Sequence, residues 1–270
     1  MNSKQENAAD DSAGVIESIT GLFRDMGLPR LADAGLYLGV PFSVLADFHR
    51  ALGEQRAEDD EKRFLNRLRY AGIVRERAPD TFKWDDGTYP FAEPGAIERA
   101  LGLEFVRQKK NLIVVGPPGA GKSLMVLIIA CKAIRAGFSV KYKTAYDISV
   151  ELREARAGNS LAGYVKKLQA CDMLIIDDAT FATFDSRAAQ SFFAVINGRY
   201  ERKATVITSN GSINEWAGKF PDKGMSTALL GRFYQEALLV NMNGAVDMRL
   251  KRAKGILENT GIDKGGGHVG

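Results

Sequence analysis

Residues 116–123 are the segment whose residue types and spacing point most directly to chemistry. Their sequence, GPPGAGKS, fits the pattern G-x-x-x-x-G-K-[ST] and lies between the apolar run NLIVV (111–115) and an apolar helical run. Glycines let successive backbone N–H groups approach phosphates, and the following helix directs its partial positive charge at them. Lys122 can reach the β- and γ-phosphates of a nucleotide, and the Ser123 hydroxyl can ligate Mg²⁺. The predicted phosphate site comprises Gly116, Pro117, Pro118, Gly119, Ala120, Gly121, Lys122, Ser123 and Leu124.

A pair of carboxylates follows another apolar run, DMLII (172–176). If this run is a parallel strand, Asp177 and Asp178 lie at the carboxyl edge of the sheet, where α/β folds bind ligands. Asp177 would then hold Mg²⁺ through water, and Asp178 would orient or deprotonate an attacking water. A strand that ends in two aspartates can also be a capping turn, but a phosphate loop at this spacing favours the catalytic interpretation.

Asn210 follows a third apolar run, ATVIT (204–208). An asparagine beside the carboxylate pair could hydrogen-bond the attacking water or the γ-phosphate. Asparagine is equally common as a turn residue, so its position alone leaves both interpretations open.

The elements that must position these residues alternate between strand and helix from residue 111 onwards. The strand-like runs are NLIVV (111–115), SVKYK (139–143), DMLII (172–176), ATVIT (204–208) and ALLV (237–240). Helical segments separate them. This alternation predicts an α/β fold with a mostly parallel sheet covered on both faces.

The N-terminal third of the chain has a different pattern. Residues 1–14 are polar and acidic, which predicts disorder, and residues 15–78 show helical spacing of apolar residues, with a break at Gly27. Residues 79–98 contain three prolines and predict a linker. The nucleotide-binding domain is expected over residues 99–258, followed by a flexible glycine-rich tail over residues 259–270.

Composition excludes several classes of protein. Among 270 residues, the two cysteines are too few for a disulfide scaffold, and the two histidines argue against a histidine-based metal site or catalytic triad. The longest apolar run, residues 124–131, is too short to span a bilayer, and the N-terminus lacks a secretory signal. We therefore expect a cytoplasmic protein without a membrane partner. The net charge of +4 is compatible with a polyanionic partner or with a merely basic soluble protein.

With these residues in place, the chain resembles an AAA+ ATPase, and within that class an IstB-like transposition helper of the IstB/DnaC group. The resemblance covers roughly residues 20–255. It rests on FLNRLRYAGI, TFKWD (81–85), GPPGAGKS, IIDDA, the succession RYE (199–201), VITSN and NEW (214–216), and the terminal GAVDMRLKRA. The succession of RYE, TSN and EW is much more specific than the phosphate loop.

The resemblance implies a five-stranded AAA+ sheet, a small N-terminal helical domain that contacts a partner, and a reduced C-terminal lid. It implies ATP and Mg²⁺ as cofactors and ATP hydrolysis as the activity. By this likeness Asn210 senses the γ-phosphate, Arg232 reaches the nucleotide of the next subunit, and Arg249 contacts the phosphates of its own subunit. Many relatives carry Glu at the position of Asp178, Asp-Arg-Leu where this chain has Gly-Arg-Phe around Arg232, and a different motif around Arg249.

Two basic clusters are candidates for contact with double-stranded DNA. The first contains Arg63, Arg67 and Arg69, and the second contains Lys141, Lys143, Arg153, Arg156, Lys166 and Lys167. Contacts by such residues would be made to the phosphate backbone and would not depend on sequence. Each cluster is also explained as a solvated helix face.

The leading hypothesis is an ATP-dependent regulator of DNA transposition. It would form a homo-oligomeric ring or spiral on target DNA with ATP, recruit or stimulate a transposase or integrase, and reset by hydrolysis. One alternative is a DnaC-like loader that binds a replicative helicase. Another is an ATP-gated DNA scaffold with little turnover, which the aspartate at position 178 would suit.

Overall fold

The computed structural model describes residues 2–74, residue 76 and residues 94–243. The chain divides into two compact units, residues 1–66 and residues 67–270. This division falls inside the long helix α2 (Phe42–Ala71) and not in the linker predicted at 79–98. The last turn of α2 belongs with the second unit, where the backbone carbonyl of Tyr70 accepts a hydrogen bond from Lys141. Most of the predicted linker lies outside the described residues.

The first unit is helical, as its apolar spacing predicts. It contains α1 (Asn2–Asp25), a 3₁₀ helix (Ala34–Tyr37) and most of α2. Its buried core consists of Ile19, Phe23, Ala32 and Leu45. Asp33 caps the 3₁₀ helix by accepting a hydrogen bond from the backbone N–H of Gly35 at 2.9 Å. The packing of Ile19 and Phe23 with Leu45 joins the apolar stripes of the two long helices.

The helix α1 begins at Asn2, so the disorder predicted for residues 1–14 differs from the structure. Residues 2–13 contain neither glycine nor proline, and six of the twelve are Ala, Glu, Gln or Lys, which have high helix propensity. Extending an existing helix costs much less than starting one. The helix nucleated by the apolar residues after Gly14 can therefore continue to the N-terminus.

A five-stranded parallel sheet forms the centre of the second unit. Its strands are β1 (Leu112–Val115), β2 (Val140–Thr144), β3 (Met173–Asp177), β4 (Ala204–Ser209) and β5 (Leu238–Asn241), in the order β2-β3-β4-β1-β5. All four strand pairs are parallel. From β1 the chain crosses to β2 at one end of this order, whereas β5 lies on the opposite side of β1. The carboxyl end of β1 is therefore at a switch point of the topology, where α/β sheets bind ligands.

Helices cover both faces of this sheet. They are α3 (Pro94–Leu101), α4 (Glu104–Arg107), α5 (Lys122–Arg135), α6 (Ala145–Ala157), α7 (Leu161–Ala170), α8 (Ser186–Arg199), α9 (Ile213–Ala217) and α10 (Lys223–Tyr234), with a 3₁₀ helix at Ala179–Phe181. One hydrophobic core contains Ile113, Leu174 and Ile207 of the strands together with residues of every helix from α6 through α10. The alternate strand residues Val114 and Ile175 are buried too, and α5 packs against β2 and β4. None of the helices in the described residues has the length and apolar character needed to cross a membrane.

Arg199, the first residue of the RYE segment, is 1% exposed and lies in the core. Its guanidinium donates to the backbone carbonyls of Leu168 at 2.7 Å and Cys171 at 2.8 Å, and also to that of Ala204. Burial lowers the pKa of Arg199 from its ordinary value, which reflects the cost of removing a cation from water. The guanidinium therefore joins the end of α7 to the start of β4, and the role of Arg199 is structural.

Replacing Arg199 by lysine should destabilise the protein by about 3 kcal/mol, because a single ammonium cannot serve all three carbonyls and buried acceptors would lose their partners. Urea unfolding followed by tryptophan fluorescence measures this change. Arg202→Lys is a matched control, because Arg202 is exposed three residues away. Equal unfolding midpoints for the two variants would contradict the structural role of Arg199.

Candidate active site

The loop between β1 and α5 has the backbone geometry of a phosphate cradle. Gly119 has a φ of 79° and Gly121 a φ of 90°, which L side chains rarely adopt. Gly121 is the N-cap of α5 and has no side chain with which to cap the first-turn N–H groups. These groups and the helix dipole are suited to bind an anion, so the loop fits the phosphates of a nucleotide.

Lys122 is 4% exposed and its ammonium lies against the same loop. Its Nζ donates to the carbonyls of Gly116 and Pro117, each at 2.8 Å, and to Oδ1 of Asn210 at 2.6 Å. The structure thus brings together the lysine of the phosphate loop and the asparagine that follows β4. Their sequence separation is 88 residues.

Asp177 is 2% exposed at the carboxyl end of β3. Its two carboxylate oxygens accept hydrogen bonds from the hydroxyls of Tyr142 on β2 and Thr208 on β4. Burial, reinforced by the nearby carboxylate, raises the pKa of Tyr142 well above its ordinary value. The phenol therefore stays protonated and remains a donor to Asp177.

Asp178 has a left-handed backbone conformation, with a φ of 54°. Such conformations are uncommon for residues other than glycine, although Asp tolerates them better than most, and they cluster at functional sites. Its backbone N–H donates to the Thr208 hydroxyl at 2.9 Å. Thr208 therefore fixes both aspartates, one through the side chain and the other through the backbone.

The strand β4 connects the two halves of the site. Thr208 holds Asp177 and Asp178, and two residues later Asn210 contacts Lys122. The backbone N–H of Gly116 also donates to the carbonyl of Ser209 at 3.2 Å. The phosphate loop, the carboxylate pair and Asn210 thus form one constellation at the carboxyl edge of the sheet.

The residues present fit a magnesium ion that arrives with a nucleotide. Within residues 2–74, 76 and 94–243, no group of three or more His, Cys, Asp or Glu side chains could hold a metal ion. In nucleotide sites Mg²⁺ takes one or two protein oxygens, and phosphate and water supply the rest. Ser123, the second residue of α5, and Asp177 are oxygen donors of this kind.

Arg232 lies at the other edge of the sheet, in the last turn of α10. Its backbone carbonyl accepts a hydrogen bond at 2.8 Å from the side chain of Asn111, which directly precedes β1. The phosphate loop follows the opposite end of this strand. This placement keeps Arg232 away from the phosphate loop of its own chain.

Among the predicted DNA contacts, the one assigned to Lys141 is wrong. Lys141 is 7% exposed, its ammonium donates to the carbonyl of Tyr70, and it lies 3.4 Å from the centre of the Tyr70 ring. Because the strand β2 points this side chain inward, Lys141 cannot present its charge to DNA. Lys143 is half-buried and paired with Glu151. Exposed predicted residues are Arg63, Arg67 and Arg69 on α2, Arg153 on α6, and Lys166 and Lys167 on α7.

A pocket of about 370 Å³ between α6 and the start of α8 gathers three arginines. Arg153, Arg156 and Arg187 line it together with Asp185, which caps α8, and we name it the arginine pocket. Arg156 is held by the carbonyl of Arg187 at 3.0 Å and the Ser191 hydroxyl at 2.8 Å. Arg187 could not be predicted from the sequence, because it follows Arg156 by 31 residues and only the packing of α6 on α8 joins them.

The predicted C-terminal lid, Arg249 and the tail lie outside the described residues, as does the TFKWD segment.

The profile of the family described as IstB-like ATP binding protein matches residues 42–255, most of the chain. The chain belongs to this family. The AAA+ phosphate loop and sheet are therefore those of an ATP-binding protein.

Relatives come from bacterial insertion sequences. The ATP-binding protein of insertion sequence IS5376 from Geobacillus stearothermophilus is 29% identical over 195 residues, which are 72% of this chain and 77% of the relative. That of IS21 from Pseudomonas aeruginosa is 29% identical over 169 residues, 62% of this chain and 64% of the relative. The insertion sequence protein y4uH of Sinorhizobium fredii is 28% identical over 244 residues, 86% of this chain and 94% of its own.

Solved structures confirm the AAA+ fold predicted from the family resemblance. The replication initiator DnaA bound to AMPPCP and single-stranded DNA superposes with a TM-score of 0.53 at 19% identity, covering 69% of this chain and 56% of DnaA. The DnaC helicase loader gives a TM-score of 0.50 at 17% identity, covering 60% of this chain and 96% of that structure. At these identities the likeness concerns the fold alone.

Two signature residues of the family resemblance serve packing and not the site. Arg199 ties segments of the core, and Trp216 is 0% exposed, with its ring centre 5.8 Å from that of Phe192. Conversely, Tyr142 and Thr208 contact Asp177 and were missed in the sequence. Thr208 lies in the predicted strand ATVIT two residues before Asn210, and this spacing is the one signal that could have singled it out.

Proposed function

We propose that this protein is an ATP-dependent regulator of DNA transposition. It binds Mg²⁺ and ATP, assembles with copies of itself on double-stranded DNA, and recruits or stimulates a transposase or integrase. Hydrolysis then resets the assembly. The observation that carries the proposal is the constellation joined by β4, with Lys122, Asp177, Asp178 and Asn210 at one edge of the sheet. The insertion sequence relatives support transposition as the setting.

In the proposed reaction a water attacks the γ-phosphorus of ATP, the bond to the bridging oxygen breaks, and ADP and phosphate result. Lys122 and the N–H groups of the loop bind the β- and γ-phosphates. Asp178 accepts the proton of the water, and Asn210 orients the water or the γ-phosphate. Ser123 and, through water, Asp177 would hold Mg²⁺, which would supply positive charge to the phosphates when it is bound.

Arg232 completes the site of a neighbouring copy in this proposal. An arginine supplied by another subunit neutralises charge in the transition state and makes hydrolysis depend on assembly. The support is the position of Arg232 next to the start of β1, at the opposite edge of the sheet from its own phosphate loop. Arg249 remains a proposed contact to the phosphates of its own subunit.

Asp178→Asn should lower the steady-state ATPase rate about a hundredfold with little loss of ATP binding, because the amide keeps the shape but cannot accept a proton. ATP titration and phosphate release measure the two effects. The DNA-bound assembly should also persist longer in ATP. Asp172→Asn is the control, because Asp172 lies before the other end of β3 and pairs with Lys203. A parental ATPase rate in Asp178→Asn would show that Asp178 is not the base and would favour the ATP-gated scaffold.

The arginine pocket is proposed as part of the surface that contacts the DNA backbone. Changing Arg153 and Arg187 together to glutamine should weaken DNA binding about tenfold near physiological salt. The slope of log affinity against log salt should become shallower by about 2, since each phosphate contact contributes about 0.9. Fluorescence anisotropy with a duplex measures both quantities.

The matched control changes Arg107 and Lys132 to glutamine, which removes the same charge from exposed positions elsewhere in the second unit. If DNA were attracted only by the net charge of the protein, the two double variants would lose the same DNA affinity. Equal affinities and equal salt slopes for the two would therefore reject the arginine pocket as a DNA contact.

A further inference from the structure

The guanidinium of Arg232 is held on several sides by its own chain. Its Nε donates to Oδ1 of Asn197 at 3.1 Å, and its Nη1 donates to the carbonyl of Ala228 at 2.9 Å. The guanidinium carbon lies 4.9 Å from the centre of the Phe193 ring and 5.6 Å from that of the Tyr200 ring. Two hydrogen bonds and two aromatic rings restrict where this cation can point.

Phe193, Asn197 and Tyr200 form one stripe, which we name the α8 bracket. Their spacing of four and three residues places them on one face at the end of α8. Arg232 itself is in the last turn of α10. The guanidinium thus lies near the C-terminal ends of two helices, where the helix dipoles favour a cation.

Backbone strain is concentrated beside this arginine. Lys109, Glu201 and Glu236 have φ values of 60°, 56° and 51°, which makes them three of the six non-glycine residues with positive φ among the described residues. All three line a pocket of about 240 Å³ with Arg232. Residues in this conformation cost energy and persist mainly where the surroundings require it, commonly at functional sites.

We propose that the α8 bracket positions Arg232 for the nucleotide of a neighbouring copy. The inference rests on the proposed function, in which Arg232 acts on another subunit. Within the part of the chain that the structure describes, Nη2 of Arg232 has no hydrogen-bond acceptor, so this edge can meet a phosphate oxygen. A guanidinium fixed beforehand loses little freedom when the transition state forms, which is how preorganised groups increase rates.

Asn197→Ala should lower the ATPase rate of the assembled protein about tenfold, because Nε of Arg232 loses its acceptor. Asn197 is exposed, so the core should remain intact. Tyr200→Leu should lower the rate as well, whereas Tyr200→Phe keeps the aromatic ring and should retain most of the parental rate. ATP affinity of the unassembled chain should be unchanged in every variant, a result that general unfolding would not produce.

Mixed assemblies identify the subunit on which the bracket acts. Asn197→Ala subunits mixed with Lys122→Ala subunits should recover activity, because the latter supply an intact Arg232 to intact phosphate loops. Mixed with Arg232→Ala subunits, they should recover none. Recovery with Arg232→Ala subunits, or a parental rate in both Asn197→Ala and Tyr200→Leu, would overturn the inference.

The reference is the mixture of Arg232→Ala with Lys122→Ala. If this mixture recovers activity but the bracket variants behave otherwise than expected, the positioning role is wrong and the proposed function stands. If the reference mixture stays inactive although its subunits co-assemble, the action of Arg232 in another subunit is wrong, and the positioning role is rejected with it.

Discussion

Arg232→Ala is expected to lower the ATPase rate of the assembled protein about a thousandfold, while the isolated chain binds ATP as before. The arginine meets developing charge in the transition state of another subunit, and such residues contribute factors of about 10³ or more. In its own subunit it lies beside Asn111 at the far edge of the sheet from the phosphate loop. Phosphate release from the assembly and nucleotide titration of the dilute protein measure the two quantities.

Mixing Arg232→Ala with Lys122→Ala subunits should restore part of the activity. Some interfaces then pair an intact phosphate loop with an intact Arg232, although neither variant contains both. The recovered rate should appear only where assembly occurs and should decrease as salt screens contacts with DNA. A mixture no more active than its components, when light scattering shows co-assembly, would reject the action of Arg232 between subunits.

Lys122→Ala should lower kcat/KM for ATP about a thousandfold, because it removes charge-assisted hydrogen bonds in both the bound substrate and the transition state. Nucleotide titration should show weaker ATP binding, and ATP-dependent shift of DNA in a gel should decrease accordingly. Lys132→Ala is the matched control, because Lys132 is an exposed lysine on the same helix, α5. Unchanged ATP affinity in Lys122→Ala would reject the phosphate site.

Much of the fold was predictable because the relevant signals are local. The phosphate loop needs glycines at fixed spacing, and each of the five strands was located within one residue of its observed bounds by a short apolar run. The carboxylate pair and Asn210 follow directly after such runs. Since parallel strands end at a common edge, the sequence alone predicted that these residues would converge.

The basic residues were less predictable because a charge pattern contains no information about direction. Lys141 and Lys143 are two residues apart on β2, yet the ammonium of Lys141 is buried against Tyr70, while Lys143 pairs with Glu151. Arg156 also bonds to α8. Only packing decides which cation has its charge in solvent and which satisfies a buried carbonyl.

By itself, the amino-acid sequence determined the ATP-binding loop, the parallel sheet and the carboxylates at its edge, because these depend on residue spacing and on the preferences of short segments. The tertiary structure decided the contacts between segments distant in the chain. It joined Thr208 to Asp177, Arg187 to Arg156 and Asn197 to Arg232. Hydrogen bonds and ring contacts of this kind arise only when helices pack on the sheet in one arrangement, which no local pattern encodes.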